Sequence, residues 1–124
     1  MKILPVIDLL GRQVVRGIAG QRERYLPIQS NLTSGAEPAD VACAFAECFR
    51  FSEAYVADLD AIAGAEPAWD LYEQIADSGL PLWIDVGISR PEQIDQLANF
   101  QAAGQLLSGL IIALESVTSP EVLV

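Results

Sequence analysis

The sequence predicts an α/β fold of parallel (βα) units, and three observations carry that expectation. Short apolar runs alternate with stretches of helical periodicity in the order β, α, β, α, β, α, β. The runs are continuously apolar, which marks strands covered on both faces and joined by right-handed crossovers. Aspartates close three of the runs, at Asp8, at Asp58 and Asp60, and at Asp85, and ligands bind at the carboxyl ends of strands in such folds. An open doubly wound sheet or half of a (βα)8 barrel would satisfy the pattern. The first strand-to-helix turn has no Gly-x-Gly-x-x-Gly, so the dinucleotide form of the open sheet loses its main signal.

The first run, residues 2–9, ends with Asp8 and Leu9, and QVVRGI after Gly11 reads as a small strand turned back on it. From Gly17 to Pro38 the chain is polar and aperiodic. A long first loop over 17–38 is expected, of a length that usually serves as a lid or binding segment. Past Pro38, Val41, Ala44, Phe45, Cys48 and Phe49 recur at helical spacing and predict an amphipathic helix against the sheet. EAYVADLDAI, 53–62, is the next strand, with Asp58 and Asp60 alternating toward one side. Pro67 opens a second helix with Ala68, Leu71, Tyr72 and Ile75 inward and Gly79 as its αL cap. LPLWIDVG, 80–87, is the third strand of the βα series. The helix after it has Ser89 and Glu92 at capping-box spacing, Pro91 in its first turn, Ile94, Leu97 and Ala98 inward, and Gly104 at its end. LLSGLIIAL, 106–114, is a fourth strand, and TSPEVLV reads as a helix beginning.

At 124 residues and 52% apolar, residues 1–124 are expected to form one domain with a real core. A net charge of −10, 7 basic residues and no histidine argue against nucleic-acid and anionic-membrane partners. No apolar run approaches the roughly 20 residues of a membrane span, and no secretion-signal pattern opens the chain. A cytoplasmic location is expected. Cys43 and Cys48, five apart on a regular helix, do not suit a disulfide and read as reduced packing residues. Trp69 and Trp83 read as packing between helix and sheet.

An ionised carboxylate is costly inside a core and tolerated at a mouth or a site. Asp8 and Asp85 end matching runs, LPVIDL and LPLWIDVG, and so suggest a shared rim. Two inward carboxylates also suit Mg²⁺, although parity alone does not bring both to one ion. Asp58 and Asp60 are equally candidates for ligand contacts and for a structural pair. Arg16, Arg22 and Arg24 could grip an acidic ligand, and Arg22 and Arg24 could instead pair with surface carboxylates.

PVIDLLGRQVVRG, YVADLDAIAG and PLWIDVGISRPEQI, in this order and spacing, resemble the amino-terminal half of the histidine-biosynthesis (HisA/HisF-like) barrel proteins, the ribotide isomerase and its cyclase relatives. The resemblance covers nearly the whole chain, including the ending SPEVL. It implies a TIM (βα)8 barrel of about 250 residues, of which this chain supplies strands one to four. It also implies that Asp8 is the general base of an Amadori-type aldose–ketose isomerisation, which needs no metal or cofactor. The family's acid partner ends a fifth strand, past this sequence. Substrate contacts expected beside Asp8 are Arg16, Asp58, Asp60, Asp85, Gly87 and Ser89, and the expected ligand is a small phosphorylated or acidic metabolite.

The departures from the family mark a divergent paralogue. Asp85 and Val86 stand in the glycine run whose N–H groups receive a substrate phosphate, Ala113, Leu114 and Glu115 stand at a second phosphate turn, and Ser89 stands where arginine is frequent. In the first turn Gly11 comes one place early and Arg12 takes the usual glycine's position. Four such strands leave edges to be covered, so the chain is expected to pair with a second copy as a homodimer or to be completed by a missing half-barrel. The competing functional expectation is a non-catalytic half-barrel that binds a ligand or assembles with a partner half.

Overall fold

The computed structural model describes the backbone of residues 3–18, 21–27 and 36–113, and side chains over 3–15 and 36–113. Strand β1 (Val6–Leu10) is followed by β2 (Gln13–Ile18) and β3 (Gln21–Pro27). Helix α1 (Pro38–Ala44) then runs into a π-helical turn at Phe45–Phe49. After it come β4 (Ala54–Asp58), α2 (Leu59–Ile62), α3 (Trp69–Ala76), β5 (Leu82–Asp85) and α4 (Pro91–Asn99). The last described elements are β6 (Gln101–Ala102), β7 (Gln105–Leu106) and β8 (Gly109–Leu110). The main sheet has the order β3-β2-β1-β4-β5-β8. Neighbours in the run β1-β4-β5-β8 are parallel, while β2 and β3 are antiparallel additions. The fold is α/β with a mostly parallel sheet, as the alternating pattern implies, and its parallel strands follow chain order as in one side of a barrel.

Strand parity divides the sheet. Ile7, Leu9, Ala54, Val56, Leu82, Ile84 and Val86 are buried, and they join Val41, Ala42, Leu71, Tyr72, Ile75 and Leu97 of the helices in one core. Burying each large aliphatic side chain contributes about 1.5–3 kcal/mol, so this helix-covered face holds the fold. On the opposite face Val6 is 57% exposed.

Several boundaries differ from the sequence expectation. The loop expected over 17–38 contains β3, paired with β2; its polar QRERYLP suits an edge strand, which need not be apolar. The run 53–62 is strand only to Asp58, because the Asp58 carboxylate accepts the Ala61 N–H and starts α2. Helix α4 stops at Asn99 instead of reaching Gly104. Ala103 and Gly104, both at positive φ, instead form the two-residue turn of the β6–β7 hairpin. The fourth strand is accordingly short, Gly109–Leu110, and the expected last helix, with Leu114 and Glu115, lies outside the described residues.

Capping of α4 is displaced by one residue. Arg90 is the N-cap, and the Gln93 side-chain oxygen accepts the N–H groups of Ser89 (2.7 Å) and Arg90 (2.9 Å), so Ser89 and Glu92 do not form the box. Cys43 and Cys48 are free, as expected, but exposed, so they are not packing residues. Trp69 packs against Tyr72 and Phe100 in the helix layer. Trp83 lies on the opposite sheet face, over Gly109 of β8, because it alternates with the core residues Leu82 and Ile84.

Candidate functional site

Register brings part of the aspartate set together and separates the rest. Asp8 pairs with Ala57, and Ala57 with Asp85, so the two aspartates share one level on the face away from the helices. Two inter-strand spacings put their Cα atoms about 10 Å apart. Asp8 is half-buried, and burial raises its carboxyl above the usual range. Asp85 accepts the Gly87 N–H on Oδ1 (3.0 Å) and the Tyr55 hydroxyl on Oδ2 (3.0 Å). The Tyr55 phenol is pushed up to about 12 by burial, and next by its bond to Asp85.

Asp58 and Asp60 do not alternate on one strand. Asp58 is 1% exposed and faces the helices, where it accepts Ala61 N–H (3.1 Å), Ala68 N–H (3.0 Å) and the Tyr72 hydroxyl (2.5 Å). It ties the end of β4 to α2 and α3. Asp60, in the first turn of α2, accepts the Gly11 N–H at 2.8 Å and fastens the β1–β2 turn. Beside it, the Arg12 guanidinium donates to Asp70, holding that carboxyl below its usual range through the hydrogen bond. Gly11 and Arg12 both have positive φ, 58° and 66°, so the residue in the family's glycine position keeps a glycine-like conformation.

Gly87 also has positive φ, 71°, and a Cβ there would come within 2.9 Å of the Ile62 backbone. Its N–H is taken by Asp85. A cleft of about 390 Å³ opens between the loop after α2 and the start of α4, lined by Gly64, Pro67, Gly87, Ser89, Arg90 and Gln93. Another, of about 410 Å³, lies beneath the β1–β2 turn among Arg12, Asp58, Asp60 and Asp70. Arg16 sits in β2 opposite Leu26, and the side chains of Arg16, Arg22 and Arg24 lie outside the described residues. Among the described residues no group of three or more His, Cys, Asp or Glu could hold a metal ion.

The sequence profile described as "Histidine biosynthesis protein" matches residues 2–123. The chain belongs to this family. An uncharacterized protein of Methanocaldococcus jannaschii is 33% identical over 98 residues, covering 78% of this chain and 42% of that protein. The chain therefore spans less than half the length of that relative. In a histidine-biosynthesis protein the parallel series β1, β4, β5 and β8 takes the places of the first four barrel strands, and Asp8 lies within the first, level with Ala57 of the second. Among the described residues no helix is long and apolar enough to cross a membrane.

Sequence reading missed Tyr55. Alternation counted from Asp58 selects the helix-facing side, whereas counting from Ala57, level with Asp8, selects Tyr55. Arg12 reads as a departure in the turn, but nothing local to it announces Asp70, 58 residues on.

Proposed function

We propose that this chain contributes the first half of a divergent isomerase site, with Asp8 as general base in an Amadori-type aldose–ketose isomerisation of a small phosphorylated metabolite. The observation that carries the reading is the placement of Asp8: in the first parallel strand, level with Asp85 at the end of β5, half-buried, with its carboxyl raised. A carboxyl raised by burial is a better proton acceptor from carbon once ionised. Asp8 would take the proton from C2 of the aminoaldose and return one to C1. Asp85, Gly87, Ser89 and Arg16 would surround the substrate, whereas Asp58 and Asp60 would support the loops around it. The chain would act in the cytoplasm, where exposed thiols such as Cys43 and Cys48 stay reduced. A second copy or a further half-barrel would cover the open face.

The test is turnover of a phosphorylated aminoaldose by the full chain and by Asp8→Asn. Loss of about a hundredfold or more in turnover, with binding kept, is expected. Unchanged turnover removes Asp8 as base. One observation favours the second reading, a non-catalytic binding or assembly module: the Gly87 N–H, which a phosphate turn would offer to ligand, is taken by Asp85. That reading expects binding without turnover in the unaltered chain.

A further inference from the structure

The helix side of the sheet carries a cleft that the site around Asp8 does not use. It measures about 240 Å³, lies between the loop before α3 and helix α4, and adjoins the 390 Å³ cleft, with which it shares Gly64, Arg90 and Gln93. Neither Asp8 nor Asp85 lines it. Its apolar lining comes from Val86 and Leu97, both core residues, and from Trp69, whose ring is held by Tyr72 and Phe100. Its polar lining is already oriented by bonds within the chain. Glu66 accepts the Trp69 indole N–H on Oε1 at 3.1 Å, and its Oε2 has no partner among the described residues. Gln93 commits its side-chain oxygen to the N–H groups of Ser89 and Arg90, so what it can offer a ligand is its amide donor. The Arg90 guanidinium is exposed and makes no ion pair among the described residues, unlike Arg12, which is matched to Asp70.

One cleft lined by a cation, a carboxylate and apolar surface selects a ligand that carries both signs of charge. A guanidinium with an amide donor beside it suits a carboxylate, which it can take through two parallel bonds. A carboxylate such as Glu66 suits an ammonium. A simple anion would meet Glu66 and a chain of net charge −10, and a simple cation would meet Arg90. Phosphate lacks its usual backbone cradle at this helix start, because the N–H groups of Gly87, Ser89 and Arg90 are taken within the chain. The volume falls below the roughly 300–1,000 Å³ of sites for drug-sized ligands, and suits a single small metabolite. We propose that this cleft binds a free apolar α-amino acid as its zwitterion, with the carboxylate at Arg90 and Gln93, the ammonium at Glu66, and the side chain over Val86 and Leu97 beside the Trp69 ring. The proposal does not depend on Asp8 being a base.

L-Leucine is the probe, titrated into the full chain and followed by calorimetry and tryptophan fluorescence. Saturable binding at a single class of site is expected. Isocaproate, which lacks the ammonium, and isoamylamine, which lacks the carboxylate, should each bind about tenfold or more weakly than leucine, because each gives up hydrogen bonds to a charged group. Arg90→Gln and Glu66→Gln change exposed side chains, so circular dichroism should be unaltered while leucine binding weakens about tenfold in each. The two variants should also fail differently: Glu66→Gln should no longer distinguish leucine from isocaproate, and Arg90→Gln should no longer distinguish leucine from isoamylamine. A merely apolar patch would show neither pattern. Absence of saturable leucine binding, isocaproate or isoamylamine bound as tightly as leucine, or unchanged affinity in both variants would each overturn the proposal. Asp8→Asn, which tests the isomerase reading, should bind leucine as the unaltered chain does, and a loss of binding there would put the ligand at the other sheet face and reject this cleft.

Discussion

Replacing Tyr72 by Phe isolates one hydroxyl in the middle of the protein. Tyr72 is fully buried, and its ring packs edge-on to Trp69 and Phe100, contacts that Phe retains. What disappears is the donation to Asp58 Oδ2, leaving that oxygen with the Ala68 N–H and Oδ1 with the Ala61 N–H. A buried hydrogen bond to a charged acceptor contributes about 1.5–3 kcal/mol. At this chain length about 3–5 °C accompanies each kcal/mol, so the melting temperature should fall by roughly 5–15 °C. Urea unfolding followed by far-ultraviolet circular dichroism measures the loss directly. Asp58→Asn sets an amide donor against chain donors and should cost at least as much, and the double variant should show a coupling of about 1 kcal/mol or more. A Tyr72→Phe loss under about 0.5 kcal/mol, or additive single effects, would refute Asp58 as the tie between β4 and α3.

Asp8→Asn is expected to make the protein more stable at neutral pH: a carboxyl raised in the fold ionises at a cost, so its contribution is lost as pH rises through the raised value. Unfolding measured from pH 3 to 8 should show the gain vanish below the ordinary aspartate range, and a neutral-pH loss would contradict the burial argument. Gly87→Ala forces a side chain onto positive φ and into the Ile62 backbone, so a loss of about 2 kcal/mol or more is expected in the same urea assay. Arg12→Gly relieves a positive-φ arginine and gives up an exposed ion pair, so the melting temperature should hold or rise. In that variant Asp70 should titrate in the ordinary range, and stability that Asp70 supplies above that range, lost as pH falls, should disappear; an Asp70 that still titrates low would show that Arg12 is not its cause.

The fold was legible wherever one physical signal dominated. Leu71, Tyr72 and Ile75 line up at helical spacing and are the buried face of α3, and Gly79 ends its last turn at positive φ. Reading failed where local chemistry competed with periodicity. Apolar residues alternate with aspartates from Ala57 to Ala61 as a strand would, but the side chain of Asp58 captures the Ala61 N–H and turns strand into helix. A polar edge strand such as β3 carries no hydrophobic period at all, and it exists because β2 offers it a ladder.

The site was half legible for a related reason. That Asp8 and Asp85 share a face follows from parity, but that they share a level follows from the register through Ala57, and register is set by packing across strands. The same register decides what Asp85 is. Alone in the sequence it is a carboxylate where a phosphate cradle belongs. In the fold its two oxygens are each oriented by an internal donor, Oδ2 by the Tyr55 hydroxyl and Oδ1 by the Gly87 N–H. The substitution that departs from the family's phosphate turn thus has its partners supplied by register and turn together: the Tyr55 hydroxyl from the neighbouring strand and the Gly87 N–H from the turn that follows.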